Sequence, residues 1–131
     1  MNANDSDLPL AGMSVLVVED EYFLASALIG DLRDVRAVPL GPSATVADAL
    51  KRISEAIRID AAVLNFRLRG ETSAPVAEEL SRRDIPFVFV TGNDEEVRAL
   101  FPNAPVHMKP ADMPKLVLTL EALIAERAKG Q

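Results

Sequence analysis

Short apolar runs alternate with longer amphipathic stretches along this chain, and that alternation predicts its architecture. Five runs read as strands: residues 14–18, 35–40, 61–64, 87–90 and 106–108. The first, third and fourth are continuously apolar, as strands covered on both faces are. The second and fifth are mixed or shorter, and each touches a proline, Pro39 and Pro105. Proline cannot donate to a central ladder, so these two are predicted to be edge strands.

Helical periodicity fills the intervals. Phe23, Ala27 and Leu28 fall on one face of the first helix, with Leu32 a turn further on. Val46, Leu50, Ile53 and Ile57 share a face of the second, Val76 and Leu80 pack the third, and Val97 and Leu100 anchor a short fourth. Met113, Leu116, Val117, Leu120 and Ile124 form an i, i+3, i+4 stripe on the fifth. Strand–helix alternation at this spacing implies right-handed βαβ units and a parallel sheet. With the second and fifth strands at the edges, the predicted fold class is α/β. It is a flavodoxin-like doubly wound domain of five βα units, strand order 2-1-3-4-5, with helices on both faces. Residues 1–12 are expected to form a loose leader, 13–128 the domain and 129–131 a frayed tail.

Charge narrows the function. The chain has 131 residues, with 14 Lys and Arg against 20 Asp and Glu, a net charge of −6. That balance opposes nucleic acid and an anionic membrane surface as partners. The chain has no cysteine and a single histidine, His107, which argues against thiol chemistry, a Cys-based zinc site or a Ser-His-Asp triad. His107 reads as packing or surface. The polar, acidic N-terminus is unlike a secretory signal, and no apolar run reaches membrane-spanning length, so a cytoplasmic protein is the default expectation.

Open parallel sheets bind ligands at the carboxyl ends of their strands. Glu19, Asp20 and Glu21 follow the first strand, Asn65 the third, Thr91 and Gly92 the fourth, and Lys109 and Pro110 the fifth. Each alone has a plain explanation: a helix cap, a turn amide, a strand-end hydroxyl, a surface lysine. At four successive strand ends they make one rim of carboxylates, amide, hydroxyl and ammonium. Such a set suits Mg²⁺ and phosphoryl oxygens. The carboxylate that would carry a phosphoryl group is missing.

The segments "VLVVEDE", "DAAVLNFRLRG", "FVFVTG" and "HMKP" resemble the receiver domain of two-component response regulators, a likeness covering residues 13–126. The resemblance implies that Glu19 and Asp20 match the acids that help hold Mg²⁺. Thr91 matches the hydroxyl that contacts the phosphoryl group, Gly92 the small residue beside it, and Lys109 the lysine paired with the active-site charge. The backbone carbonyl of Arg67 matches a metal ligand. Asn65 stands at the phosphoacceptor position, which is aspartate in the family. Its amide keeps the shape of Asp and offers an oxygen as a further ligand to the metal, but cannot serve as the usual acyl-phosphate acceptor. Val106 and Ala111 also depart from the family, which often has aromatics at those positions.

A non-enzymatic, single-domain receiver is therefore expected, not phosphorylated at the usual position and acting by protein–protein contact. It would be either a natural pseudo-receiver or an engineered Asp-to-Asn form of a phosphorylatable one. Its Mg²⁺ binding would be weakened. Its partners would be a histidine kinase or a downstream signalling protein, or a second copy through the fourth helix, fifth strand and fifth helix. Two readings compete. A phosphohydrolase of the haloacid-dehalogenase type would use Asp20 as nucleophile, but such enzymes want Asp-x-Asp there and an acid pair after the lysine, and only Asp112 follows Lys109. A structural dimerisation module would leave the pocket vestigial.

Overall fold

The computed structural model describes residues 8–130. Along the chain run β1 (Ser14–Val18), α1 (Tyr22–Asp34), β2 (Val38–Ser43), α2 (Val46–Glu55), β3 (Ala61–Asn65), β4 (Arg67–Leu68), β5 (Glu71–Thr72), α3 (Ala74–Arg82), β6 (Phe87–Thr91), α4 (Asp94–Leu100), β7 (Val106–Met108) and α5 (Met113–Lys129). Five strands pair in parallel in the order β2-β1-β3-β6-β7. With the small β4–β5 hairpin set aside, this is the predicted 2-1-3-4-5 order of the flavodoxin-like fold, and the edges are β2, which holds Pro39, and β7, which follows Pro105.

Strand alternation divides the core into two layers. Val15 and Val17 of β1, with Ala61 and Val63 of β3, pack against Leu28, Ile29 and Leu32 of α1 and Leu116 and Leu120 of α5. Leu16 and Val18, with Ala62 and Leu64, pack on the other face against Ile53 of α2, Val76 and Leu80 of α3 and Val97 of α4. The period of two along the central strands thus feeds two cores at once, which is why these strands read as unbroken apolar runs. Phe66 and Phe89 meet edge to face at 5.6 Å in the second layer. Four of the five helices start on side-chain caps: Glu21, Thr45, Asn93 and Asp112 accept from backbone N–H groups of α1, α2, α4 and α5.

Several expectations shift. The second strand begins at Val38, not at residue 35, because α1 runs to Asp34 and the chain then turns through Arg36 with φ 66°. It extends to Ser43 past a register shift opposite β1. Gly41 makes that irregularity: its φ is 112°, and a Cβ there would lie 2.8 Å from the Val17 carbonyl oxygen. The buried stripe of α1 is Ala25, Leu28, Ile29 and Leu32, whereas Phe23 is 76% exposed and Ala27 is exposed. The predicted stripe was therefore rotated at its start, with the buried face beginning at Ala25. α2 ends at Glu55, so Ile57 lies beyond it and is exposed, as is Leu100 on α4. Leu10, within the expected leader, is fully buried in the α1–α5 layer. Residues 1–7 of that leader and Gln131 of the tail lie outside the described residues, and Lys129 belongs to α5. No helix among the described residues is long and apolar enough to cross a membrane.

Candidate functional site

The carboxyl ends of β1, β3, β6 and β7 bring the predicted residues to one rim. β1 ends at Val18, and the Glu19 N–H then donates to the Ser43 carbonyl at 2.9 Å, so the extended edge strand fixes the first acid. Glu19 turns inward and is 7% exposed; Asp20 is partly buried beside it. Asn65, 5% exposed, is the last residue of β3, between two strand neighbours. Phe66 follows it into the opposite core layer and anchors the strand end.

The Asn65 side chain is the hub. Its Nδ2 donates to Glu19 Oε2 at 2.9 Å, to the Arg67 carbonyl at 2.9 Å and, at longer range, to Asp20 Oδ1 at 3.3 Å. Lys109 Nζ stands 3.7 Å from Glu19 Oε1, and Arg69 Nε stands 3.7 Å from Asp20 Oδ2. Lys109 is positioned by its N–H donating to the Thr91 carbonyl across β6 and β7, and it precedes a cis peptide to Pro110. Burial pushes the Glu19 carboxyl above its ordinary range. The Glu21 N–H and the Lys109 ammonium pull it back, Asp20 adds to the rise, and the Asn65 N–H opposes it.

Thr91 and Gly92 line a cleft of about 440 Å³ together with Asn65, Arg67, Asn93, Glu96 and Lys109. The Thr91 hydroxyl is turned to its own loop: it donates to the Asn93 carbonyl at 3.0 Å and accepts from the Asn93 N–H at 3.2 Å. The expected set of Glu19, Asp20, Asn65, the Arg67 carbonyl, Thr91, Gly92 and Lys109 is thus gathered in one place, with the hydroxyl bonded to the Asn93 backbone.

Sequence reasoning missed the role of the β4–β5 hairpin. Gly70, at φ 71°, makes its turn, and the hairpin aims the Arg67 carbonyl back at Asn65. The Arg67 guanidinium meanwhile reaches Glu96 on α4, with Nη2 at 2.6 and 2.7 Å from its two carboxylate oxygens. Glu71 accepts from the Val46 N–H at 3.0 Å and ties the hairpin to α2. No local pattern marks pairings 25 or 29 residues apart in sequence. Asp112, the second acid a haloacid-dehalogenase-type site would need, instead caps α5 by accepting from the Lys115 N–H at 3.1 Å. His107 packs at the sheet edge, with Nε2 2.8 Å from the Thr119 hydroxyl.

The donor set can be tested against the Mg²⁺ ion that the resemblance implies. Two carboxylates and one carbonyl are suitable hard oxygens. As arranged they do not fit an ion, because the oxygens that would ligate it already converge on the Asn65 amide nitrogen. Among the described residues no group of three or more His, Cys, Asp or Glu side chains could hold a metal.

A five-stranded doubly wound sheet with acids, an amide, a hydroxyl and a lysine on its carboxyl rim defines a receiver-type signalling domain. Comparison with known proteins is consistent with that class. The solution structure of SdrG from Sphingomonas melonis Fr1 is 44% identical, matching 86% of this chain and 97% of its own with a TM-score of 0.75. The BeF3-activated conformation of SdrG from Pseudomonas melonis Fr1 is 42% identical, over 87% of this chain and 98% of its own, at a TM-score of 0.72. A CheY-like response regulator receiver domain protein from Methanospirillum hungatei JF-1, 19% identical, shares the fold over 92% of this chain and all of its own, at a TM-score of 0.81. No family profile matches the chain, and a search of curated proteins found no significant match. The chain belongs to the response regulator receiver-domain family.

Proposed function

We propose that this chain is a receiver that takes no phosphoryl group at residue 65 and signals by protein–protein contact. The single observation behind this reading is the residue at the end of β3: an amide, held at the centre of the acid pocket, where a carboxylate nucleophile would be needed. An amide oxygen carries no full negative charge, and attack through it would not give the acyl phosphate that a carboxylate forms. The partner is a histidine kinase or a downstream signalling protein, or a second copy of the chain. The face that serves it is α4, β7 and α5, where Leu100 and Met108 are 57% and 47% exposed. Val106 on β7 is aliphatic and partly buried against the core, so the aromatic rotamer switch often found at this position has no counterpart there.

The test is intact-mass spectrometry after incubation with acetyl phosphate and Mg²⁺, or with a cognate kinase. Wild type is expected to stay unmodified, and Asn65→Asp to gain one phosphoryl group. Uptake of a phosphoryl group by the wild type ends this reading. Affinity capture with wild type and Asn65→Asp then identifies which partner depends on the amide.

A further inference from the structure

We infer that the Asn65 amide group is a built-in substitute for the divalent cation, so that the acid pocket is closed to Mg²⁺ and held in one state without it. The inference rests on residue 65 being the substituted acceptor position, as proposed above. Two carboxylate oxygens and one carbonyl oxygen point at a single atom, Nδ2, at 2.9, 3.3 and 2.9 Å. Three acceptors that converge repel one another unless a cation or a donor lies between them. The chemistry also fixes which way the amide faces. With the amide turned over, Oδ1 would meet three acceptors and no hydrogen, so the nitrogen side must face the acids.

Mg²⁺ binds oxygens at about 2.0–2.1 Å in near-octahedral geometry. It would have to draw in these same oxygens, and the nitrogen stands where they converge. The two ligands therefore compete, and the amide is tethered while the ion is not. The charges are matched as well. Glu19 has Lys109 at 3.7 Å and Asp20 has Arg69 at 3.7 Å, so neither acid depends on a metal for a positive neighbour. The Arg67 carbonyl, held by the amide, belongs to the residue whose guanidinium clasps Glu96 on α4. Occupancy of the pocket by the amide is thereby linked to the face proposed for partners.

The experiment is a Mg²⁺ titration of the full chain, read by the ¹⁵N side-chain amide signals of Asn65 and by thermal unfolding. In wild type, the amide pair should stay in place and the melting temperature should stay unchanged at the Mg²⁺ concentration that saturates Asn65→Asp. Asn65→Asp should bind the ion at least about tenfold more tightly than wild type. Asn65→Ala, which empties the centre without adding charge, should also gain a Mg²⁺-dependent rise in melting temperature, and it serves if Asn65→Asp does not fold. A wild-type protein whose Asn65 signals or melting temperature respond to Mg²⁺ as strongly as either variant overturns the inference. Phosphoryl uptake is read separately by mass, so failure of the receiver reading and failure of this one are distinguishable.

Discussion

Converting Asn65 to Asp in the absence of divalent cations should destabilise the fold by an amount that depends strongly on pH. The substitution removes a two-hydrogen donor from the centre of the pocket and puts a third carboxylate beside Glu19 and Asp20, whose oxygens lie 2.9 and 3.3 Å from the present nitrogen. Even after relaxation to about 4 Å, each like-charge pair costs roughly 4 kcal/mol at an effective dielectric near 20. Lys109 and Arg69, each 3.7 Å from one acid, offset part of this. Protonation sets the ceiling. An aspartate of ordinary pKa near 3.9 can be neutralised at pH 7 for about 4 kcal/mol, and at pH 5 for about 1.5 kcal/mol. The protonated carboxyl returns one donor where the amide had two, which forfeits about one charge-assisted hydrogen bond, roughly 1.5–3 kcal/mol.

The expected penalty is therefore at most about 6–7 kcal/mol at pH 7, falling by about 2–3 kcal/mol at pH 5. The sign follows from the raised folded-state pKa of the introduced group. Between its unfolded and folded values the native state binds more protons, so stability is lost as pH rises through that window. Urea unfolding of both proteins in EDTA at pH 5 and pH 7, with equal slopes, measures the difference; wild type carries the titration of Glu19 common to both. A penalty under about 1 kcal/mol at pH 7, or one that does not shrink at pH 5, would refute the claim that the amide joins the two acids.

Two further predictions follow the same physics. Burial raises the Glu19 carboxyl above 4.5, so wild type should lose stability relative to Glu19→Gln as pH rises from about 4.5 through that raised value; parallel pH profiles of urea midpoints would contradict this. Gly41→Ala places a Cβ 2.8 Å from the Val17 carbonyl oxygen and 2.9 Å from the Ser43 nitrogen at φ 112°, all against backbone. It should cost about 2–4 kcal/mol in thermal unfolding, and a cost under about 1 kcal/mol would mean the β2 bulge yields freely.

The parts of the fold legible in the sequence were those that burial writes locally. β1 and β7 have the predicted bounds, and β3 and β6 each run one residue beyond, to Asn65 and Thr91. Both extra residues are polar, so an apolar-run criterion stops short of them, although the ladder continues through Asn65 opposite Val90 and Thr91 opposite Met108. β2 was misplaced because Val35, apolar but only partly buried, is the residue that ends α1, and because Gly41 and Pro42, beyond the predicted end at residue 40, stay within the strand. The first turn of α1 misled for the opposite reason: Phe23 is apolar in pattern and exposed in fact.

Hydrophobic periodicity determined the doubly wound sheet and the gathering of Glu19, Asp20, Asn65, Thr91 and Lys109 on one rim, and the prolines at residues 39 and 105 marked its edge strands. Burial on one or two faces leaves a period in the chain, and a parallel sheet sends every strand end to the same side. Only the tertiary structure decided what those groups do to one another. The Asn65 nitrogen faces the acids, the Thr91 hydroxyl turns to Asn93, and Arg67 reaches Glu96. Such choices are made between side chains brought together from distant parts of the chain, where hydrogen-bond satisfaction and charge pairing in a shared, partly dry pocket select the arrangement, and neither leaves a periodic mark on the sequence.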